Sequence, residues 1–204
     1  MADGSGDAFR SPADRTDTMH TSRRRMLAAI LALPGALVAG PAAGPAATPA
    51  CGGEPSPAQT EGPYFTPQAP LRSDLAADVP GGPQISLGGF VVDRGCRPLA
   101  RTIVELWQAD PAGAYDNRGF RLRGRQLADE AGLWRFDTVI PGHYPGRTRH
   151  FHVKLTAPDG RRLTTQLYFP GEPGNQRDRI FDARLLMTLA EEGGRQTARF
   201  DFVL

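Results

Sequence analysis

The chain is nearly without lysine: among its 24 basic side chains only Lys154 is not arginine, and 22 acids bring the formal net charge to +2. Arginines dispersed among acids form no basic tail or stripe, which argues against a nucleic-acid binder. No apolar run reaches the roughly 20 residues that a membrane-spanning helix needs. Cysteine is scarce, with Cys51 and Cys96 alone, and of only four histidines three stand within HYPGRTRHFHVKL, from His143 to Leu155.

What is there begins with an address. Ser22 to Leu27 read SRRRML and are followed by AAILALPGALVAG, apolar and free of acids. This is the pattern of a twin-arginine export signal, expected over residues 1–47, with small residues downstream where a peptidase can cut. Residues 48–204 are then the mature domain, periplasmic or extracellular, touching a membrane only through export. An uncleaved anchor is the alternative. ATPAC, ending at Cys51, is a poor lipidation box. In an oxidising compartment two cysteines more often pair than stay free, so a Cys51–Cys96 disulfide is expected, tying the mature N-terminus to the first hairpin.

Residues 48–82 are rich in Pro, Gly, Ala and Ser and read as an ordered arm. Short alternating segments follow at 85–93, 102–109, 133–139, 150–157, 162–169 and 198–204, separated by DRGCRP, DPAGAY, DEAG, PDG and GEPGN. Such runs between turn signals predict an all-β, antiparallel β-sandwich with long loops. The spacing of Ile180, Ala183, Leu185, Leu186 and Leu189, with Gly193 as a stop, predicts one short C-terminal helix over 178–192. The arginines of RGFRLRGRQ (Arg118, Arg121, Arg123, Arg125) read as a solvated loop or edge strand, or as a lure for an anionic aromatic acid.

If HFHVKLTA is a strand, its two-residue period puts His150 and His152 on one face and Phe151, Val153 and Leu155 on the other. Two imidazoles on one strand face can share a metal ion; the plain alternative is a pair of polar residues on a solvated face. Tyr144, between Pro141 and Pro145, stands in a loop able to fold over that face, and Tyr115 lies in another turn. Each tyrosine alone reads equally as a core residue with a bonded hydroxyl.

Four blocks, in order, resemble the intradiol ring-cleavage dioxygenases, the protocatechuate and catechol dioxygenase family: QTEGPYF, GCRPLARTIVELWQADPAGAYDN, DEAGLWRFDTVIPGHYPGRTRHFHVKL and LTTQLYFPGEP, covering residues 59–173. The resemblance implies a non-haem Fe(III) held by Tyr115, Tyr144, His150 and His152. It implies a small aromatic diol and O2 as substrates, opened to a cis,cis-muconate-type diacid, with one tyrosinate leaving the metal to take a substrate proton. Arg147, three residues before the first histidine, falls on the family's active-site arginine. Gly62, Pro63 and Tyr64 would line the substrate pocket and Gln166 would stand beside the metal, while Tyr168 reads as packing and His143 has no assigned role. Two phenolates beside two imidazoles suit a hard ferric ion better than zinc. Both the segment between the tyrosines and the loop from Tyr144 to His150 are shorter than in the well-known protocatechuate enzymes, so the pocket rim is expected to differ. The helical dimerisation region of the catechol enzymes is missing, though assembly into a homo-oligomer is compatible with the sequence. Two other readings remain: a secreted β-sandwich ligand-binding module without catalysis, and a zinc hydrolase adding Asp137 or Asp116 to the histidines.

Overall fold

The computed structural model describes residues 51–204; the expected export segment, residues 1–47, lies outside them. Among the described residues nine strands run in chain order: β1 (Gln84–Val92), β2 (Ile103–Trp107), β3 (Arg123–Leu127), β4 (Leu133–Val139), β5 (His150–Thr156), β6 (Arg162–Tyr168), β7 (Thr188–Glu192), β8 (Arg195–Arg199) and β9 (Phe202–Val203). They form two sheets, one ordered β4-β1-β8-β7 with β9 also on β1, the other β3-β2-β5-β6. The all-β sandwich expected from the alternating runs is therefore the fold. Its one departure from antiparallel order is that β8 and β9 both lie parallel to β1.

The apolar faces of the two sheets meet in one core, to which β5 contributes Phe151, Val153 and Leu155, all fully buried, facing residues such as Leu87, Trp134 and Phe136 from the other sheet. Burial of this apolar surface is the main driving force of the fold. β5 sits between β2 and β6, and its register sets what surrounds the histidines. His152 lies opposite Trp107 on one side and Gln166 on the other, and His150 lies opposite Tyr168. Because neighbours directly opposite share a face, the same face carries all five side chains.

The C-terminal helix is not formed. Residues 178–192 instead make a single 3-10 turn at Ala183–Leu185, closed by the Asp182 carboxylate accepting from the Arg184 amide, and then strand β7. LLMTLAEE satisfies both periods, but Leu185 and Met187 point inward at two-residue spacing, a strand's pattern. Gly193 is no helix stop. With Gly194 it forms the two-residue turn joining β7 to β8, both at positive φ, which glycine adopts without strain.

Cys51 and Cys96 are joined in a disulfide with Cα atoms 5.7 Å apart, anchoring the arm to the turn after β1. The arm then crosses the outer face of the second sheet: Gln59 N donates to Thr164 O, and Gln166 Nε2 donates to Thr60 O. Cys96→Ser is expected to lower stability by about 2–4 kcal/mol by freeing a 45-residue loop. Denaturant midpoints measure this; an unchanged midpoint would mean the bridge contributes nothing.

Candidate metal centre and its surroundings

His150 and His152 are almost completely buried although they face away from the core, because the arm and two loops roof that side of β5. One loop, between β2 and β3, carries Tyr115 between two carboxylate-capped turns. Asp110 accepts from the amides of Ala112 and Ala114, and Asp116 from those of Arg118, Gly119 and Arg121. The other loop, between β4 and β5, carries Tyr144 and Arg147. The two loops touch backbone to backbone: Gly142 N donates to Asp110 O, and a Cβ at Gly113 would stand 2.1 Å from the His143 carbonyl oxygen. Only glycine fits there, and the contact brings the two tyrosines onto one site.

The polar atoms converge. The Nε2 atoms of His150 and His152 are 3.1 Å apart, and the Tyr115 hydroxyl oxygen is 3.4 Å from the former. Donor atoms each about 2.1 Å from one ion and at right angles to each other lie about 3 Å apart, so this spacing is that of ligands sharing an ion. His150 Nδ1 lies 2.7 Å from Thr148 O; donating there leaves Nε2 with a free lone pair. His152 is stacked on Trp107 with ring centroids 4.9 Å apart, and its buried Nδ1 has no partner. Tyr144 stands edge-on to Tyr115, centroids 6.1 Å apart. The donor set thus fits a ferric ion: two neutral imidazoles and two phenols. Zinc with a carboxylate does not fit, since Asp116 is occupied by its turn, and Asp137 bonds Ser86 and Arg135 on the other sheet. Among the described residues no three His, Cys, Asp or Glu side chains gather at one point.

Burial sets the protonation states. It drives His150 down to about 4, helped by the nearby Arg147 guanidinium, and drives His152 well below its ordinary value, helped by His150 and Arg147. Both rings are neutral at pH 7 with lone pairs available. Burial pushes the Tyr115 phenol up, partly opposed by Arg147 and Arg123, so its phenolate needs a cation beside it. For the metal-free protein the sign is clear. An unfolded histidine takes up a proton below about 6.5 while the folded His150 does not until about 4. Stability is therefore expected to fall as pH drops through that window, and to be flat from pH 7 to 8 as far as these groups decide. Thermal melting of metal-free protein at pH 7 and pH 5 checks this; equal midpoints would contradict it.

Of the pocket residues expected from the sequence, Tyr64 is the most engaged. Its ring stacks on Tyr115 at 4.3 Å and its hydroxyl lies 3.4 Å from that of Tyr144. Gly62 rests on His152, where a Cβ would meet Cε1 at 3.4 Å, while Pro63 between them is exposed. The arm is held here by Lys154, which pairs with Glu61 at 2.5 Å and lies 4.2 Å over the Phe65 ring. Gln166 Oε1 accepts from Arg147 Nη2 at 2.5 Å. Tyr168 is more than packing: its buried hydroxyl bonds Gln59 Oε1 at 2.8 Å and lies 3.5 Å from Arg147 Nη2. His143 stays outside the cluster, exposed, with Nε2 3.5 Å from Glu172.

One arginine of the expected solvated run is not solvated. Arg123 is 1% exposed and donates to the Asp116 carbonyl and, at 2.5 Å, to the Tyr64 carbonyl, clamping the Tyr115 turn to the arm. Its neighbours Arg118 and Arg121 do face solvent, and nothing in RGFRLRGRQ marks which arginine turns in. Asp178 also went unread; it accepts from Arg147 Nε at 2.9 Å.

A family model described as Dioxygenase matches residues 60–204. The chain is 34% identical over 169 residues to the protocatechuate 3,4-dioxygenase beta chain of Burkholderia cepacia, covering 66% of this chain and 72% of that one. It is 28% identical to the catechol 1,2-dioxygenase of Acinetobacter baylyi over 63% of its own length, and spans only 51% of that protein. Among solved structures, the dioxygenase domain of a dioxygenase carbohydrate-binding protein fusion from Streptomyces sp. SirexAA-E matches with a TM-score of 0.71 and 48% identity, over 74% of this chain and 98% of that one. The 3-chlorocatechol 1,2-dioxygenase of Rhodococcus opacus 1CP matches with a TM-score of 0.66 and 28% identity, over 72% of each.

Proposed function

This chain belongs to the intradiol dioxygenase family, and from that premise we propose that it opens a catechol-type aromatic diol with O2 at a non-haem ferric ion held by Tyr115, Tyr144, His150 and His152. The placing of His150 Nε2 3.1 Å from His152 Nε2 and 3.4 Å from the Tyr115 hydroxyl oxygen carries this reading. When bound, the ferric ion would supply the Lewis acidity that holds both diol oxygens and makes the ring open to attack by O2. The remaining work falls to the chain's own side chains.

Tyr144 is the phenolate suited to accept a proton from the incoming diol. Its hydroxyl meets that of Tyr64 at 3.4 Å, whereas Tyr115 is pinned between two capped turns. Arg147 projects Nη2 onto the site face of β6 and there opposes negative charge gathering on the ring. Tyr64 and Gly62 wall the site, and the arm keeps bulk water from it. In the net reaction the carbon–carbon bond between the two hydroxyl-bearing carbons breaks. Both oxygen atoms of O2 enter the product, and the two carbons leave as carboxylates with release of two protons.

The relatives are named for protocatechuate, catechol, chlorocatechol and hydroxyquinol, all 1,2-diols, and such a diol is the substrate proposed here. SRRRML and the apolar run after it support export of the folded domain from residue 48 onward. A ligand-binding module without chemistry would have no reason to keep all four metal-binding side chains and Arg147. Incubation with catechol under labelled O2 tests the reading: two labelled atoms in a cis,cis-muconate-type diacid are expected. A singly labelled product or a ring opened beside the diol would contradict it.

A further inference from the structure

The segment from Gly174 to Ile180, whose last three residues lie in the expected helix that does not form, packs its one buried carboxylate against the catalytic loop. Asp178 has a side chain only 1% exposed. Its Oδ2 accepts from Arg147 Nε at 2.9 Å and from the Thr148 amide at 3.0 Å, while Oδ1 accepts from the Ile180 amide at 3.2 Å. Its neighbour Asn175 accepts from Thr148 Oγ1 at 2.8 Å and donates to Phe169 O at 2.9 Å, so the bracket is itself anchored to the end of β6.

A guanidinium has five donors and a long flexible stem, and by itself points nowhere in particular. Here it is held at two places. Asp178 takes Nε from one side and Gln166 takes Nη2 from the other, which aims the outer edge of the fork along the face that carries His150 and His152. The amide that Asp178 holds belongs to Thr148, whose carbonyl oxygen receives His150 Nδ1. The Thr148 peptide is held a second time, through its Oγ1 on Asn175, so the support of His150 does not depend on Asp178 alone, whereas Arg147 Nε has no other partner among the described residues.

We propose that Asp178 is a positioning residue for ring cleavage, acting through Arg147 and not touching substrate or metal; this rests on the ring-cleavage reading above. A charge-assisted, nearly fully buried bond of this kind orients its partner far better than a solvated one. Asp178→Ala leaves Arg147 held at Nη2 alone.

The experiment is a double-mutant cycle on purified, iron-loaded enzyme with catechol as substrate. Asp178→Ala is expected to lower kcat on the order of 10- to 100-fold, with KM, iron content and the visible absorption band little changed. Placed on top of Arg147→Ala, the same substitution is expected to lower kcat by less than about 2-fold, since the residue through which it acts is already gone. Asp178→Asn keeps the shape and one acceptor; it provides a folded variant if Asp178→Ala does not accumulate, and is expected to fall between wild type and Asp178→Ala. An equal loss in both backgrounds would overturn the proposal, as would loss of iron from the single variants. A wild-type enzyme that consumes no diol would instead overturn the ring-cleavage reading, a result visible before any variant is made.

Discussion

Replacing His152 by alanine is expected to abolish iron retention and ring cleavage together while leaving a folded protein. The ring supplies one of two Nε2 atoms standing 3.1 Å apart, and no other described histidine is near enough to replace it, His143 being turned outward to Glu172. Partners that merely orient ligands cost roughly 10- to 100-fold in metal affinity or activity when removed. A ligand itself should cost more. The fold survives because the core face of β5 is made by Phe151, Val153 and Leu155, which the change does not touch. The loss also deletes a buried Nδ1 that has no partner, a group of the kind that costs stability. Tyr144→Phe is the finer version, keeping the ring edge-on to Tyr64 and Tyr115 and deleting a single oxygen. Metal analysis beside oxygen uptake checks both variants. Full activity in either would remove that side chain from the metal centre.

Arg147→Ala is expected to separate the two properties, keeping most of the iron and lowering kcat by about 100- to 1,000-fold, the range seen when one preorganised charge-stabilising donor is deleted. None of its bonds goes to His150, His152, Tyr115 or Tyr144; they go to Asp178, Gln166 and Tyr168. The variant also leaves Asp178 buried without its cation, though still bonded to two amides, so some loss of stability accompanies the loss of rate. Arg147→Lys restores the charge without the planar fork, and is expected to regain stability more than rate. Iron lost in proportion to activity would mean that the arginine serves the metal site instead of the reacting ring.

Much of this was legible in the chain itself. Strand β4 falls where alternation put it, and β5 and β6 fall within a residue of it. The face shared by His150 and His152 follows from period two alone. The four tyrosines of the chain all end up at or beside the site: Tyr64, Tyr115, Tyr144 and Tyr168. What escaped reading has physical causes. The arginine-rich run does hold an edge strand, β3, as one of its two readings had it, but β7 lay hidden in a segment whose leucines suit helix and strand equally, where only its partner β8 decides. Arg123 and Asp178 become buried through partners far along the chain, at Tyr64 and Arg147, and local spacing carries no trace of such contacts. The role of Tyr168 escaped for the same reason, since the group that takes its hydroxyl is Gln59 in the arm.

If two phenolates and two imidazoles bind one ferric ion to which a diol can attach, the visible absorption spectrum of the purified protein records it. Iron-loaded protein is expected to show a broad tyrosinate-to-iron band with close to one iron per chain. Catechol added without O2 should shift that band, and Tyr144→Phe should weaken it. A protein that stays colourless after iron is supplied, with its fold intact, would mean that these four side chains hold no ferric ion.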